Sequence, residues 1–424
     1  MLEGVNVALG VTGSIAAVKT VELAHELRRR GAEVRAVMTD SARGIVHPWA
    51  VEFATDDDVV TEITGSVEHV ELCGRDGWAD VFLIAPATAN TVGKIAGAVD
   101  DTPVTTCATT ALGADTPVVI APAMHEPMYD HPGVLEAIDT VAAWGVDFVD
   151  PRIEEGKAKI ATEEAICCAV ARAAGDGALE GEHVVVTSGA TAEAIDPVRV
   201  LTNRASGRMG RAVARACYVR GADVTLVHGV VGPQSLERAT EGADPVPYAD
   251  VRQVERAAEM LETTRSVCLG DEAERGDDGR DGNEDSGIDE SRADVLVSAA
   301  AIGDYTVERS EEKIRSGQDL CLDLESTPKL IDEVRATRPD IPIVGFKAET
   351  SGDESEMITQ ARETLERAGL AFVVANDASV MGSDRTKALF VHEEDAARYE
   401  GPKSGLADEI ADSIAAVVGT LSSA

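Results

Sequence analysis

One arrangement occurs twice along the chain: a short apolar run, a turn of small residues and then a helical pattern. It occurs first where Val5–Val11 is followed by Thr12-Gly13-Ser14 and a helix-like stretch. It begins again at "HVVVTSGAT", from His183, which is followed by "SGRMGRAVARACYVRGADVTLV" from Ser206. Strands that alternate with helices predict a mainly parallel sheet with helices on both faces. The repetition therefore predicts an α/β protein of two Rossmann-like three-layer domains.

The first helical pattern, Ser14–Arg30, has an apolar face and a charged face. At about 100° per residue, the apolar face contains Ala16, Ala17, Val21, Leu23, Ala24 and Leu27. The opposite face contains Lys19, Glu22, Glu26, Arg29 and Arg30. One helix packed on a sheet is predicted, with Gly31 as its C-terminal cap before the strand "EVRAVMT".

The domain boundary is predicted from a change in composition. The stretch "AAGDGALEGE", residues 173–182, looks like a linker, so we expect one domain over 1–178 and another over 179–424. A length of 424 residues fits two or three domains. Residues 270–292 contain almost no apolar side chains, which predicts a disordered acidic insertion at the surface.

The charge of the chain narrows the choice of partners. The formal net charge is −38, and nine of the 38 basic residues are Lys. This composition is typical of a salt-adapted protein, and a surface that binds a basic partner is the alternative. Nucleic acid and anionic membranes are disfavoured as partners because they are acidic too.

Cysteine usage and hydropathy bear on the compartment. The seven Cys include no C-x-x-C pair, which favours a reducing cytoplasm and argues against zinc. Cys167 and Cys168 lie in a helical pattern and are expected to pack in a core. We expect no membrane span, because no apolar run approaches about 18 residues, and no signal peptide.

Small polar residues follow several predicted strands of the first domain. The turn Thr12-Gly13-Ser14 offers backbone N–H groups and a helix N-terminus to a phosphate monoester, although an ordinary tight turn is the alternative. Thr88 and Asn90 follow a strand and either bind a ligand or cap a helix. His69, between apolar positions, is either structural or catalytic. The stretch "APAMHEPMYDHP", residues 121–132, has the composition of a shaped pocket wall.

Taken together, these motifs resemble two known families in order and spacing. "GVTGSIAA", "EHVEL", "APATAN" and "PAMHEPMY" resemble the flavin-dependent cysteine decarboxylases. "GATAEAIDPVRVLTNRASGRMG", "SAAAIGDY", "EKI", "VGFKAET" and "AND" resemble phosphopantothenate–cysteine ligases. Both halves in this order resemble the bifunctional enzymes of coenzyme A biosynthesis, over nearly the whole chain apart from the acidic insertion.

For the first half, the resemblance implies an FMN-dependent decarboxylase of phosphopantothenoylcysteine. The FMN phosphate would lie at Thr12, Gly13 and Ser14. The rest of the flavin site would be lined by Thr39, Ser41, Thr88 and Asn90. His69 matches the catalytic histidine of the family, which acts on the substrate thiol or carboxylate beside the flavin.

Two departures from the family pattern occur at the substrate pocket of this half. His125 stands where the family commonly has Asn, beside Met124 in "PAMH", and an imidazole is also able to donate to a carboxylate. The bacterial pattern has a proton-donating Cys in a Gly-rich lid, but the matching "RIEEGKAKIATEE" contains none. Lys157 and Lys159 in that stretch are candidates to contact the substrate phosphate or carboxylate, and the proton donor is unassigned.

For the second half, the resemblance implies ligation of cysteine to 4′-phosphopantothenate, usually with CTP and Mg²⁺, through an acyl-nucleotide. Asn203 matches the residue that holds the acyl group, and Lys313 matches the ligase lysine. The implied nucleotide contacts are Ser206, Gly207, Met209, Gly210, Ala300, Asp304, Lys313, Ser326, Thr327, Pro328 and Phe346.

The family often has two further Lys before "AND", and this chain has Thr364 and Ala368 there. Arg362 or Arg367 are candidates to replace them, so the nucleotide preference stays open. The resemblance also implies trimeric flavin domains and dimeric ligase domains, hence a dodecamer.

Three other functions remain as alternatives. Relatives of the flavin half act as regulatory subunits that bind a phosphatase. A ligase with an inactive or altered decarboxylase half would fit the missing lid Cys. An NAD-dependent reductase is disfavoured because the G-x-G-x-x-G fingerprint is missing.

Overall fold

A computed structural model describes residues 1–154, 157–230, 246–270, 292–317, 319–349, 354–377 and 385–422. The chain divides into two compact units, Met1–Asp176 and Gly177–Ala424. The predicted acidic insertion, residues 270–292, lies outside the described residues except at its two ends.

Helices surround a parallel sheet in the first unit. Its strands are β1 Asn6–Val11, β2 Glu33–Met38, β3 Val81–Ala87, β4 Val118–Pro122, β5 Met124–His125, β6 Asp147–Phe148, β7 Arg152–Glu154 and β8 Lys157–Lys159. Its α-helices are α1 Thr20–Arg29, α2 Asp40–Arg43, α3 Pro48–Thr55, α4 Glu68–Cys73, α5 Ala89–Ala96, α6 Pro103–Ala114, α7 Glu126–Tyr129, α8 Pro132–Ala142 and α9 Glu163–Ala173. Among the described residues, the main sheet has the order β2-β1-β3-β4-β6, with every pair parallel.

The first helical pattern differs from the prediction at its start. Ile15–Lys19 is a 3₁₀ helix, and the α-helix begins only at Thr20. The tighter first turn follows from Ser14, whose hydroxyl accepts from the N–H of Ala16 and whose carbonyl accepts from Ala17. A 3₁₀ segment changes the angular spacing of side chains, so the predicted single apolar face is interrupted there. Ile15 and Val18 are consequently exposed.

The second unit contains a larger sheet. Its strands are β9 His183–Gly189, β10 Ala192–Ala194, β11 Val200–Thr202, β12 Asp223–Gly229, β13 Asp250–Val254, β14 Val295–Ser298, β15 Tyr305–Val307, β16 Leu324–Ser326, β17 Ile343–Glu349, β18 Phe372–Asp377, β19 Arg385–Val391 and β20 Ala396–Pro402. Its described helices are α10 Arg208–Val219, α11 Ala257–Leu269, α12 Leu330–Thr337, α13 Glu354–Ala368 and α14 Lys403–Ser422.

The strand order of the second unit reverses direction at β9. In the part of the chain that the structure describes, the order is β13-β12-β9-β14-β17-β18-β19-β20, and only β19 and β20 join antiparallel. The chain runs outward from β9 in one direction through β12 and in the other through β14. Ligands of open α/β sheets bind beyond the strand ends at such a reversal.

Both sheets confirm the predicted α/β class with mainly parallel strands. The buried strands are near-continuous apolar runs, as expected when both faces of a sheet are covered: every residue of β3 is buried, as are all residues of β4. No helix among the described residues has the length and apolar character that a membrane span requires.

Candidate functional site

The first unit contains a cavity of about 570 Å³ beyond the C-terminal ends of β1, β3 and β4. The predicted residues in its wall are Gly13, Ser14, Thr88, Met124, His125, Lys157 and Lys159. The cavity thus brings together residues from four separate sequence motifs. Its further walls are apolar side chains such as Ile15, Val18 and Met128.

The side chain of Ser41 packs closely against the turn at Gly13. A Cβ on Gly13 would lie 2.4 Å from Oγ of Ser41, so only glycine fits. Ser14 donates from Oγ to the carbonyl oxygen of Ala123 at 2.9 Å, which joins the turn to the end of β4. Within the described residues, the N–H groups of Gly13 and Ile15 donate no hydrogen bond. Unpaired N–H groups at a cavity wall fit the phosphate of FMN.

Three predicted threonines near this turn make structural hydrogen bonds. Thr12 is buried, donates to the carbonyl of Pro86 at 2.8 Å and accepts from the N–H of Thr88 at 3.2 Å. Thr39 caps α2 and lies 3.0 Å from Oγ of Ser41. Thr88 caps α5 while also lining the cavity. These bonds hold the strand ends that shape the cavity.

Five predicted residues of the first unit are not among the residues that line this cavity: Thr12, Thr39, Ser41, Asn90 and His69. Asn90 is exposed on α5. His69 lies on α4, which begins after Val67, a non-glycine residue at φ 53°. The Nδ1 atom of His69 is buried without a hydrogen-bond partner among the described residues. The structure therefore places an imidazole nitrogen without a described partner on α4, on a residue that does not line the cavity.

A small antiparallel sheet, β5-β8-β7, forms one wall of the cavity. His125 pairs in register with Lys157, and Arg152 pairs with Lys159. Sequence reasoning missed Arg152, although it also lines the cavity. The same "RIEEGKAK" stretch contained the sequence signal for Arg152, because it places three cationic residues, Arg152, Lys157 and Lys159, on two paired strands. This wall gives the cavity a positive edge.

No thiol faces the cavity within the described residues. Cys73, Cys107, Cys167 and Cys168 are all fully buried. Burial raises the pKa of the Cys167 thiol to about 12, so this group holds its proton near neutral pH. The prediction that Cys167 and Cys168 serve packing in a helix is confirmed by their position in α9.

In the second unit, glycines bring the backbones of β9 and α10 together. Gly207, at φ 69°, caps α10, and a Cβ there would lie 2.8 Å from the backbone nitrogen of Gly189. A Cβ on Gly210 would lie 2.6 Å from Cβ of Ser188. The hydroxyl of Ser188 also donates to the carbonyl of Gly207 at 2.9 Å. Ser206 and Met209 flank this crossing, and the N-terminus of α10 opens beside it.

Hydrogen bonds between side chains and backbone connect the segments beside this crossing to the loop after β14. Asn203 donates from Nδ2 to the carbonyl of Ala301 at 2.9 Å. Thr187 accepts from the N–H groups of Ala299 and Ala300 at 3.1 and 3.2 Å. Asn203 and Ala300, predicted from distant motifs, therefore lie on adjoining segments.

The turn at Ser326-Thr327-Pro328 meets the same loop. Thr327 donates from its N–H to the carbonyl of Asp304 at 3.0 Å and from its hydroxyl to Gly303 at 2.6 Å. Lys329, which sequence reasoning did not single out, forms an ion pair with Asp304. The carboxylate of Asp304 thus already has a cationic neighbour.

Lys313 is exposed in a segment held by a buried carboxylate. Burial alone would raise the pKa of Asp196, but N–H groups of Val198, Ile314 and Arg199 outweigh it and lower that pKa. The Ile314 N–H donates to Asp196 at 3.1 Å, next to Lys313 in the chain. Asp196 therefore positions the Lys313 segment.

The predicted aromatic contact, Phe346, lies on β17, half-buried. Nζ of its neighbour Lys347 lies 3.3 Å from Oε1 of Gln360 on α13. Ala368 is buried and Thr364 donates to the Gln360 carbonyl. Of the two arginines considered as substitutes, Arg367 forms an ion pair with Asp332. Arg362 approaches the carbonyl of Glu394.

His228 was also missed by sequence reasoning. It is the penultimate residue of β12, beside the glycine crossing, and its Nε2 lies 3.5 Å from a guanidinium nitrogen of Arg211. Burial, together with the charge of Arg211, lowers the pKa of His228 to about 4. The imidazole is therefore neutral near pH 7. No signal in the sequence marks a histidine at the end of an apolar strand as part of this site.

No group of three or more metal-binding side chains occurs in the described ranges.

Comparisons with known families match both units. The flavoprotein family matches residues 1–175. The family described as DNA/pantothenate metabolism flavoprotein C-terminal domain matches residues 179–271 and 286–418.

Several characterised proteins are similar over most of the chain. The coenzyme A biosynthesis bifunctional protein CoaBC of Thermococcus kodakarensis is 47% identical over 92% of this chain and 89% of its own length. That of Methanocaldococcus jannaschii is 33% identical over 99% of this chain and 95% of its own. The Bacillus subtilis protein is 33% identical over 90% of this chain and 88% of its own.

Solved structures match parts of the chain. The C-terminal domain of a CoaBC protein is 25% identical, covering 58% of this chain and all of its own, with a TM-score of 0.42. The FMN binding protein AtHal3 is 30% identical, covering 39% of this chain and 94% of its own, with a TM-score of 0.35. From its two family matches and its near-full-length relatives, the chain belongs to the family of bifunctional coenzyme A biosynthesis proteins.

Proposed function

We propose that the chain performs two consecutive reactions of coenzyme A biosynthesis. Its second unit ligates cysteine to 4′-phosphopantothenate with CTP, and its first unit decarboxylates the product to 4′-phosphopantetheine with FMN. The observation that carries the proposal is the 570 Å³ cavity, in which a phosphate-type turn at Gly13 faces the cations Lys157 and Lys159. Family membership supports both activities.

In the first unit, the flavin would rest on the turn at Gly13 and Ser14, beside Thr88. When bound, FMN supplies reversible two-electron oxidation of the substrate thiol, which makes the neighbouring carboxylate a leaving group. Lys157 and Lys159 would hold the anionic groups of the substrate at the β8 wall. His69 would move the proton of the thiol or stabilise the carboxylate.

Because His69 lies outside the cavity wall, its role requires that α4 or a second copy of the chain bring the imidazole to the substrate. The trimeric flavin assembly implied by the resemblance would supply such a copy. We therefore propose a homo-oligomer, with trimeric first units and dimeric second units.

In the second unit, the substrate carboxylate would attack the α-phosphorus of CTP, with pyrophosphate as the leaving group. The cysteine amine would then displace the nucleotide. Asn203 would hold the acyl group, and the N-terminus of α10 at Gly207 would bind phosphate oxygens through backbone N–H groups. Lys313 would neutralise charge on the phosphoryl groups, and Phe346 would contact the nucleotide.

Four finer assignments belong to this proposal. Mg²⁺ would enter with the triphosphate rather than through a protein cage. The net charge of −38 indicates a protein adapted to high salt. A cytoplasmic location follows from the substrates and the cysteine usage. CTP is proposed over other nucleotides on the resemblance alone.

The test combines cofactor analysis with a product assay. Flavin released from the purified protein should chromatograph as FMN, and FAD, or no flavin after reconstitution, would contradict the first half. Incubation with phosphopantothenate, cysteine, Mg²⁺ and each nucleoside triphosphate in turn should give the mass of 4′-phosphopantetheine, fastest with CTP. Formation of neither the ligated nor the decarboxylated product would overturn the proposal.

A further inference from the structure

Three histidines of the first unit occupy N-cap positions of helices, and one of them makes no capping hydrogen bond with its side chain. His47 caps α3 by accepting at Nδ1 from the N–H of Trp49 at 3.3 Å. His131 caps α8 by accepting at Nδ1 from Gly133 at 3.1 Å. His125 occupies the same cap position of α7, yet its side chain makes no cap bond. Its imidazole, in the described part of the chain, is committed to no local hydrogen bond.

The free imidazole lies where the substrate is proposed to bind. His125 lines the cavity together with Thr88 and Met124. It pairs in register with Lys157 on the opposing strand, so it lies on the same wall as the proposed anion-binding cations. The uncommitted histidine is therefore part of the reaction chamber, whereas the two capping histidines are not in its wall.

The proposed reaction requires an acid in this chamber. Loss of CO₂ from the oxidised substrate leaves an ene-thiolate, which must gain a proton at carbon before hydride returns. No described cysteine reaches the cavity, because those of the first unit are fully buried. As side-chain classes, imidazole exchanges its proton near neutral pH, whereas an ammonium holds its proton to much higher pH. Efficient general acids titrate near the working pH.

We propose that His125 is the general acid that protonates the carbon from which CO₂ has departed. This assignment rests on the proposed decarboxylase function. The N–H bond of the imidazolium breaks and a C–H bond forms at that carbon. The π electron pair of the C=C bond forms the new C–H bond, and an electron pair of the thiolate sulfur forms the C=S bond. The resulting thioaldehyde would be the acceptor for the hydride that bound FMN supplies, and His125 regains a proton from water.

The test uses His125→Asn in a single anaerobic turnover of phosphopantothenoylcysteine. We expect CO₂ to be released within about tenfold of the parent rate, since the acid acts later. Return of the flavin absorbance near 450 nm should slow by about 10²-fold. The accumulating product should be lighter than 4′-phosphopantetheine by two hydrogen atoms. His125→Cys, which places a thiol acid at this position, should recover much of the loss.

The matched control is His131→Asn, because Asn is also a good helix cap. It should turn over like the parent. A His125→Asn protein that reoxidises its flavin at the parent rate would overturn the assignment. Equal loss of CO₂ release and reoxidation would also overturn it, since that pattern indicates a binding role. Equilibrium binding of FMN to the apo-protein checks folding, and His125→Gln provides a second variant.

One outcome separates this inference from the proposed function. If the parent protein releases no CO₂ from phosphopantothenoylcysteine, the decarboxylase function itself fails. If the parent turns over and the His125 variants match it, only the role of His125 fails.

Discussion

The two units share an architecture but build their candidate sites from different materials. In the first unit, side chains of β5 and β8 form one wall of a cavity. The candidate functional groups on this wall are His125, Lys157 and Lys159. In the second unit, main-chain groups dominate: glycines at 189, 207 and 210 bring β9 against α10, and threonines hold the loop after β14. The difference indicates that the first candidate site is built mainly by side chains, whereas the second also depends on a close approach of two backbone segments.

The largest effect is expected from His69→Asn. Loss of a positioned acid–base group costs about 10²–10⁴-fold, so release of CO₂ from phosphopantothenoylcysteine should fall by that factor. FMN should still bind, because His69 is outside the turn at Gly13, and ligation should persist. Radiolabelled CO₂ release and flavin absorbance measure this. Decarboxylation at the parent rate would remove His69 from the mechanism, whereas loss of ligation as well would indicate a folding defect or a shared site.

The corresponding test of the second unit is Gly207→Ala. The new Cβ would lie 2.8 Å from both the nitrogen of Gly189 and Cε1 of His228, at a residue with φ 69°. Because this strain costs about 1–3 kcal/mol and moves the helix N-terminus, ligation should fall about 10–100-fold. Decarboxylation of supplied phosphopantothenoylcysteine should be unchanged.

Gly113→Ala is the control, since a Cβ there meets nothing within 4 Å. It should leave both activities intact. A Gly207→Ala protein with parent ligation kinetics would show that backbone approach at this crossing does not govern the second activity.

A pH-dependent change in stability is expected from His228 in the second unit. The pKa of His228 is lowered to about 4 in the folded state, against an ordinary value near 6.5. The unfolded chain therefore binds the proton more readily between these values, and stability falls as the pH falls through this window. Relative to pH 7.5, about 1–2 kcal/mol of unfolding free energy should be lost at pH 5.

Denaturant unfolding of the parent and of His228→Gln, which lacks this titration, measures the difference. The parent should lose more stability than the variant between pH 7 and pH 5. If the parent and the variant lose the same unfolding free energy between pH 7 and pH 5, protonation of His228 does not destabilise the folded protein.

Salt should act on both units alike, with the smallest effect. Screening of the net charge of −38 reduces self-repulsion, so the melting temperature should rise by several degrees from low to molar KCl. Calorimetry tests this. A flat or falling curve would count against adaptation to salt.

The sequence predicted the strands, the helices and the motifs far better than their final arrangement. Alternating apolar runs and amphipathic helices were enough for both sheets, because burial of both faces is encoded locally in residues such as those of β3 and β4. The periodicity of Ser14–Arg30 did not predict the 3₁₀ turn at Ile15–Lys19, which follows from the hydrogen bonds that the hydroxyl and the carbonyl of Ser14 accept.

The candidate sites show the same limit. Gly13, Thr88 and His125 were identified from local motifs and Lys157 from the stretch that matches the family's lid, and all four line one cavity. Arg152 and His228 were missed, because their positions depend on a hairpin pairing and on a strand order that no local pattern specifies. His69 was noted between apolar residues, but its catalytic role was assigned only through the family resemblance, and nothing in its surroundings on α4 predicts where its substrate lies.

The most direct test of two separate sites is complementation between the two variants. His69→Asn, given phosphopantothenate, cysteine, CTP and Mg²⁺, should accumulate phosphopantothenoylcysteine. Gly207→Ala alone should form little of either product. Mixed together, the two proteins should form 4′-phosphopantetheine at a rate near that of the parent, as read by mass spectrometry. The account would be contradicted if the mixture formed no 4′-phosphopantetheine although each protein retained its unaltered activity. That result would exclude two independent sites linked by a released intermediate.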